Sequence, residues 1–358
     1  MENKNNYCII LAGGIGSRLW PISQTAKPKQ FLDPFGAGRT LLQSTYDRIA
    51  KVVERDNIFI STAAEYMDLT REQLPEVPES NILAEPVRRG TFSSVAWANA
   101  VISALNPNAA MLATPADQLI LREERFVDDM QRAFEYVSHN DGVLIMGIKP
   151  TRPDTSYGYI QTEDVLKEGA VKPVKSFTEK PDLQFAEMFV QSGEFLWNTG
   201  LYLFNANTIL KIIRSVMPDH IKAIKSVMSE KNISLADAVQ QFYGYLPNTS
   251  LDKAVTENCE QVRVRDCSFG WADMGNWKSL YHDLPADQEG NVRLHTEATF
   301  YNGSGNVISL PHGERAFVAG LSDYIIAQSD GILMICPKGD VPMRRRMMND
   351  AQLGHYDA

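Results

Sequence analysis

Cysteine is scarce. The 358 residues hold four (Cys8, Cys259, Cys267, Cys336), with no CxxC spacing and no disulfide-scaffold density, so a reducing, cytoplasmic setting is expected. The six histidines include no HExxH or other close metal-ligand pair. No run of about 18 apolar residues occurs, which argues against a membrane-spanning helix. The opening MENKNN lacks an apolar h-region, so no secretory leader is expected. A formal net charge of −9 speaks against a surface that coats nucleic acid, which needs a basic face. It leaves room for a local basic pocket that takes an anionic small molecule. Low-complexity tracts are also missing.

A hydrophobic content of 44% and a charged content of 22% are ordinary for a globular protein, and the length suits one large α/β domain plus a small second one. Tyr7–Leu32, YCIILAGGIGSRLWPISQTAKPKQFL, is the most informative stretch. Its apolar opening, Tyr7–Leu11, predicts one buried strand. Ala12-Gly13-Gly14-Ile15-Gly16 follows, and glycines at a strand exit let the backbone turn tightly and approach a ligand. Ser17, Arg18 and Lys29 add a hydroxyl, a fixed-charge fork and a flexible cation. Peptide N–H groups with two cations suit a chain of phosphates. Two common phosphate motifs do not fit: Arg18 and Leu19 fall where GxGxxG needs its third glycine, and no GK[ST] follows.

Downstream, short apolar runs alternate with helical spacing. Strands are predicted at 57–61, 81–84, 109–114 and 143–148, with helices at 40–53, 68–74, 91–105 and 123–138 between them. That alternation predicts a doubly wound, mixed but mainly parallel sheet with ligands at the carboxyl ends of its strands. The Gly loop, Asp117 and Gly147 fall at such ends. Irregular strands follow at 158–161, 174–177 and 200–204, with helices at 182–191, 206–217 and 235–243. Past Leu284 a turn-rich linker precedes short apolar runs spaced as in all-β proteins. The expected domains are therefore 1–284 and a small β domain at 291–348. The polar tail after Met348 is expected to be mobile.

Three short segments carry acidic or basic side chains at predicted strand ends or turns. Asp117, closing Ala113-Thr114-Pro115-Ala116-Asp117, is a helix N-cap or a metal ligand. Asp273, in Trp271-Ala272-Asp273-Met274-Gly275-Asn276-Trp277, reads by position as an N-cap before a helix near Gly275. Glu179 and Lys180, in Phe177-Thr178-Glu179-Lys180-Pro181, put an acid and a base side by side before a proline and read as a solvated pair; an extended backbone would send them to opposite faces.

The whole stretch LAGGIGSRLWPISQTAKPKQFL closely resembles the signature of the sugar-1-phosphate nucleotidyltransferases, in the WP…KPKQF form of the mannose-1-phosphate guanylyltransferases. ATPAD resembles the family's LPADH, with Gln118 in place of His, and further segments resemble its YGYI, FxEKP, WNxG and WxDxGxW. The resemblance implies a Rossmann-like catalytic domain with a short left-handed β-helix at the C-terminal end. It implies that GTP and mannose 1-phosphate are the substrates and Mg²⁺ the cofactor. Leu11, Ala12, Gly13, Gly14, Gly16, Ser17, Arg18, Lys29, Glu85 and Asp117 would bind the nucleotide. Gly147, Tyr157, Gly158, Glu179, Lys180 and Asn198 would bind the sugar phosphate. Asp117 and Asp273 would hold the metal, and Arg18, Lys29, Asp117 and Lys180 would be catalytic. Around Glu85 the match is imperfect, since Gly90 replaces Asn and Phe92-Ser93 replaces Ala-Pro. Transfer with another sugar or nucleotide, or a silent sugar-nucleotide sensor, remain alternatives. A homodimer is expected from the apolar content of the β domain (Ile325, Ile326, Ile332, Leu333, Met334, Ile335).

Overall fold

The computed structural model describes residues 4–163 and 167–353, in two compact units. The first comprises Met1–Gly13, Thr45–Ala116 and Ile120–Trp271. The second comprises Gly14–Ser44, Asp117–Leu119 and Ala272–Ala358, a different division from a cut between 284 and 291.

The first unit is built on nine strands: β1 (Asn6–Leu11), β2 (Ile58–Ala63), β3 (Ile82–Glu85), β4 (Ala110–Pro115) and, past the short β5 (Gln118–Ile120), β6 (Val143–Ile148), β7 (Gly158–Thr162), β8 (Val171–Glu179), β9 (Phe195–Asn205) and β10 (Val262–Cys267). The order is β3-β2-β1-β4-β9-β6-β10-β8-β7. Pairing is parallel from β3 through β4 and between β6 and β10. It is antiparallel wherever β7, β8 or β9 meets another strand. The sheet is thus mixed: β8 and β9 run against the other strands, while parallel pairing spans β3 through β4 and recurs between β6 and β10. The cause is β9, which runs against both β4 and β6; apolar periodicity places a strand but says nothing of its direction.

β1 through β4 are buried almost end to end, as strands covered on both faces must be. The helix Gly90–Leu105 is apolar nearly all round and contributes Phe92, Val95, Ala98 and Ile102 to the main core. From β1 the chain runs to β2 and β3 on one side, while β4 lies on the other. That makes the carboxyl ends of β1 and β4 the place where strand order reverses, the usual crevice for a ligand. Two helices unforeseen in the sequence, Pro218–Lys231 and Leu251–Asn258, complete this unit.

Beyond β11 (Trp271–Asp273), which forms a two-stranded sheet with β5, lie β12 (Val292–Leu294), β13 (Glu297–Tyr301), β14 (Val307–Ser309), β15 (Arg315–Ala319), β16 (Tyr324–Ser329) and β17 (Ile332–Pro337). Val292, Val307 and Ile325 stack in parallel register, as do Glu297 and Arg315 on a second face. A polar ladder accompanies the stack: Asn306 Nδ2 donates to Asn291 Oδ1 at 2.9 Å, and Tyr324 N–H donates to Asn306 Oδ1 at 2.9 Å. Antiparallel β17 ends the sheet. Of the apolar set named above, Ile325, Ile326 and Met334 are buried within the unit, Ile332 is half-buried, and Leu333 and Ile335 are exposed. After Met348 the chain continues in the helix Val341–Leu353, and the rest of the expected mobile tail lies outside the described residues. Among the described residues, no helix is long and apolar enough to cross a membrane.

Candidate active site

The basic continuation of the Gly loop and both predicted aspartates come together in the second unit. Gly16 has φ of 68°, and a Cβ there would lie 2.9 Å from Ser23 Oγ and 3.0 Å from Lys29 Cγ. Only glycine tolerates both conditions, so the backbone can pass directly over Lys29. Gln30 Nε2 donates to the Gly14 carbonyl at 2.8 Å and pins the loop from the following turn. Leu19, Trp20, Met274 and Trp277 pack in one core, and the Trp277 indole N–H donates to the Trp20 carbonyl at 3.1 Å. Ser17 and Arg18 are exposed.

Lys29 is buried at 6% exposure, and its Nζ lies 2.8 Å from Asp117 Oδ2 and 3.8 Å from Asp273 Oδ1. It also donates to the Met274 carbonyl at 3.4 Å. Burial pulls the ammonium's pKa down; Asp117, first by charge and then by hydrogen bond, and Asp273 outweigh it, and the net shift is upward. A charged ammonium therefore gathers two carboxylates that share no sequence motif, yet each keeps 23% of its side chain exposed. Neither aspartate is a helix cap. Asp117 leads into β5, and the cap of the helix Trp277–Asp283 is Asn276, whose side chain accepts from the Ser279 N–H.

In the first unit, Ala12 N–H donates to the Ser61 carbonyl at 2.7 Å, and the Leu11 carbonyl accepts from Ala116 N–H at 3.1 Å, which ties the ends of β1, β2 and β4 together. Arg88 Nε donates to the Gly13 carbonyl at 3.0 Å. Glu85, at the end of β3, is buried and accepts from Ser61 Oγ and Ser94 Oγ, both at 2.6 Å. Within the second unit, a glycine turn, a fixed cation and paired acids are groups suited to phosphates, and the profile described as Nucleotidyl transferase matches residues 7–290. The chain belongs to the nucleotidyl transferase family.

Curated relatives of this nucleotidyltransferase agree. A mannose-1-phosphate guanylyltransferase of Salmonella muenchen is 32% identical over 342 residues, covering 93% of this chain and 70% of the relative. Another from Salmonella montevideo is 34% identical over 339 residues, covering 91% and 70%. A crystal structure of mannose-1-phosphate geranyltransferase from Thermus thermophilus superposes with a TM-score of 0.83 at 29% identity, covering 97% of this chain and 99% of that one.

The remaining expected site residues of the nucleotidyltransferase lie on or beside β6 to β9. Gly158 stands opposite Glu179, and a Cβ on it would sit 2.8 Å from Glu179 Oε2. The expected opposite facing of Glu179 and Lys180 does not occur. Lys180 has φ of 47°, which breaks the strand's alternation and lets its ammonium pair with Glu179 Oε1; both are exposed. Gly147 is buried in β6, where a Cβ would meet Leu196 Cδ1 at 2.6 Å and Val264 Cγ2 at 2.8 Å, so packing already demands glycine there. Tyr157 packs edge-on against Trp197 and Trp271, each at 5.0 Å between centroids, which makes these tryptophans core aromatics. Asn198 is held by Tyr202 and Asp252, two residues that carry no motif and were invisible in the sequence.

Proposed function

We propose that this nucleotidyltransferase transfers GMP from GTP to α-D-mannose 1-phosphate, giving GDP-mannose and pyrophosphate. An oxygen of the sugar phosphate forms the new bond to the α-phosphorus, while the bond from that phosphorus to the bridging oxygen of pyrophosphate breaks. The nucleophile is already ionised at neutral pH, so no general base is needed. The difficulty is to align two polyanions and neutralise their charge. The observation that carries the reading is the buried Lys29 ammonium held between Asp117 and Asp273 beside the glycine loop. The choice of guanine and mannose comes from the names of the relatives.

Among the described residues, no three His, Cys, Asp or Glu side chains form a ready metal cage. Two partly exposed carboxylates nonetheless fit a hard cation that completes its shell with phosphate oxygens and water. Asp117 and Asp273 would hold Mg²⁺, which supplies charge neutralisation on the phosphates. Lys29 fixes the two carboxylates, Arg18 and the loop N–H groups serve the triphosphate, and Lys180 serves the sugar phosphate. Left-handed winding of the C-terminal coils, a cytoplasmic setting and a homodimer belong to the same reading. They are supported by the parallel stacks of β12 to β16, by four unbridged cysteines, and by Leu333 and Ile335 exposed on β17, an edge strand.

Mixing the protein with GTP, mannose 1-phosphate and Mg²⁺ should release pyrophosphate and yield GDP-mannose by chromatography. Faster turnover with another pair of substrates would replace the specificity. No release with any pair of nucleotide and sugar phosphate would leave a sensor instead.

A further inference from the structure

We infer that the Lys29 ammonium holds the carboxylates of Asp117 and Asp273 in place of a divalent cation, so that a metal ion joins this pair only when it arrives on the nucleotide's phosphates. The inference rests on the reading of the two aspartates as the metal ligands.

The pair is closed by a charge that stays beside it. Lys29 Nζ stands 2.8 Å from Asp117 Oδ2 and 3.8 Å from Asp273 Oδ1, and it donates to the Met274 carbonyl at 3.4 Å. Its stem is pinned under Gly16, where a Cβ would approach Lys29 Cγ to 3.0 Å, and the residue is 6% exposed. Asp273 is fixed from behind as well. A Cβ on Gly275 would lie 2.5 Å from Asp273 Oδ2, so the carboxylate rests against bare backbone. Arg18 is close enough for its charge to act on Lys29. Two carboxylates and two cations leave the cluster without net charge.

A neutral cluster offers a bare divalent cation little. Ligand oxygens approach Mg²⁺ to about 2.0–2.1 Å. On the Asp117 oxygen that Lys29 already holds, the ion would stand within about 5 Å of the ammonium. One unit charge at that distance weakens the binding of a divalent ion about 15-fold at the dielectric of bulk water, and more where water is scarce. Among the described residues, no third carboxylate, histidine or cysteine joins the pair to offset this. A triphosphate supplies what is missing. Its oxygens bring negative charge for Lys29 and Arg18, and Mg²⁺ is suited to a shell of phosphate oxygens, water and one or two carboxylates. Lys29 thus keeps the acids apart from cations that come without nucleotide.

The test uses the full chain freed of metal, without nucleotide, with Mn²⁺ as the probe and free Mn²⁺ read by its EPR signal. The wild type should bind with a Kd of about 1 mM or weaker, at the loose end of carboxylate sites. Lys29→Gln removes the charge and keeps an N–H for Asp117, while Lys29→Met removes both, which guards against a folding defect in either variant alone. Both should bind Mn²⁺ at least about tenfold more tightly than the wild type, and Lys29→Arg, which keeps the charge, should not. Adding Asp117→Asn to Lys29→Gln should abolish the gain. Mg²⁺ at about 1 mM should raise the urea midpoint of Lys29→Gln more than that of the wild type. A wild type that binds Mn²⁺ below about 0.1 mM, or uncharged variants that bind no more tightly than the wild type, overturn the inference; metal-dependent release of pyrophosphate would leave the reaction standing. A wild type fully active in EDTA overturns the metal reading, and the inference with it.

Discussion

Removing the Lys29 ammonium should expose how tightly the second unit is wired through it. At 2.8 Å from Asp117 and 3.8 Å from Asp273, an effective dielectric near 20 gives gross attractions of about 6 and 4 kcal/mol. Desolvation of the buried ammonium cancels much of this, and the partial exposure of the carboxylates softens what remains. Lys29→Met should therefore destabilise the unit by about 2–4 kcal/mol, because it leaves two acids facing each other without a counter-charge. Asp117→Asn alone should be milder, since Asp273 still accompanies the lysine. In the double variant the losses should fall short of their sum by about 1–2 kcal/mol. Urea unfolding followed by tryptophan fluorescence, with Trp20 and Trp277 in the core concerned, measures all four corners of the cycle; EDTA throughout keeps adventitious cations out. Additivity within about 0.5 kcal/mol would refute the coupling, and with it the idea that Lys29 organises the acids.

Three further outcomes are expected. Asp273→Asn should fold and lose about two to three orders of magnitude in turnover, the scale of a lost electrostatic contribution at a reacting centre; full activity in EDTA would contradict the metal assignment. Asp266 is pushed up to about 6, chiefly by burial and then by Glu168. Its charged form is thus penalised in the native state above that pH and not in the unfolded chain. Asp266→Asn should stabilise by about 1–2 kcal/mol at pH 7, after discounting for partial solvent screening, and the gain should vanish as pH falls from 6 to 4; denaturant midpoints across that range check it. Gly147→Ala should lower stability by about 1–3 kcal/mol through overpacking against Leu196 and Val264, and calorimetry would show whether those side chains yield without loss.

Much of the first unit could be read from apolar spacing, because β1, β2, β4 and β6 are buried runs bounded by turns. Three helices escaped. Pro218–Lys231 buries Ile224 alone, the short Leu251–Asn258 buries three residues, and Val341–Leu353 buries none, so their stripes were faint. β12 and β13 were hidden beyond a linker whose polar residues, Asp287 and Asn291, build the ladder's first rung. At the site, the motif residues were legible while their supports were not. Nothing in Leu251–Asn258 marks Asp252, whose value comes only from where the fold brings Asn198 and Tyr202. Lys180 precedes a proline, a position biased toward extended backbone, yet it adopts positive φ, and that departure creates its pairing with Glu179.

The scattered make-up of the second unit governs when the chain can become active during synthesis. Its glycine turn and Lys29 leave the ribosome early, but Asp273 and the Trp277 partner of Trp20 come about 250 residues later. At about 5–20 residues per second, that interval is roughly 12–50 s in which the nascent loop lacks Asp273 and Trp277. Closing so long a span is entropically expensive and slow relative to local folding. Translation therefore acts as a timer: the loop that carries Lys29 cannot complete its contacts until Asp273 and Trp277 have emerged.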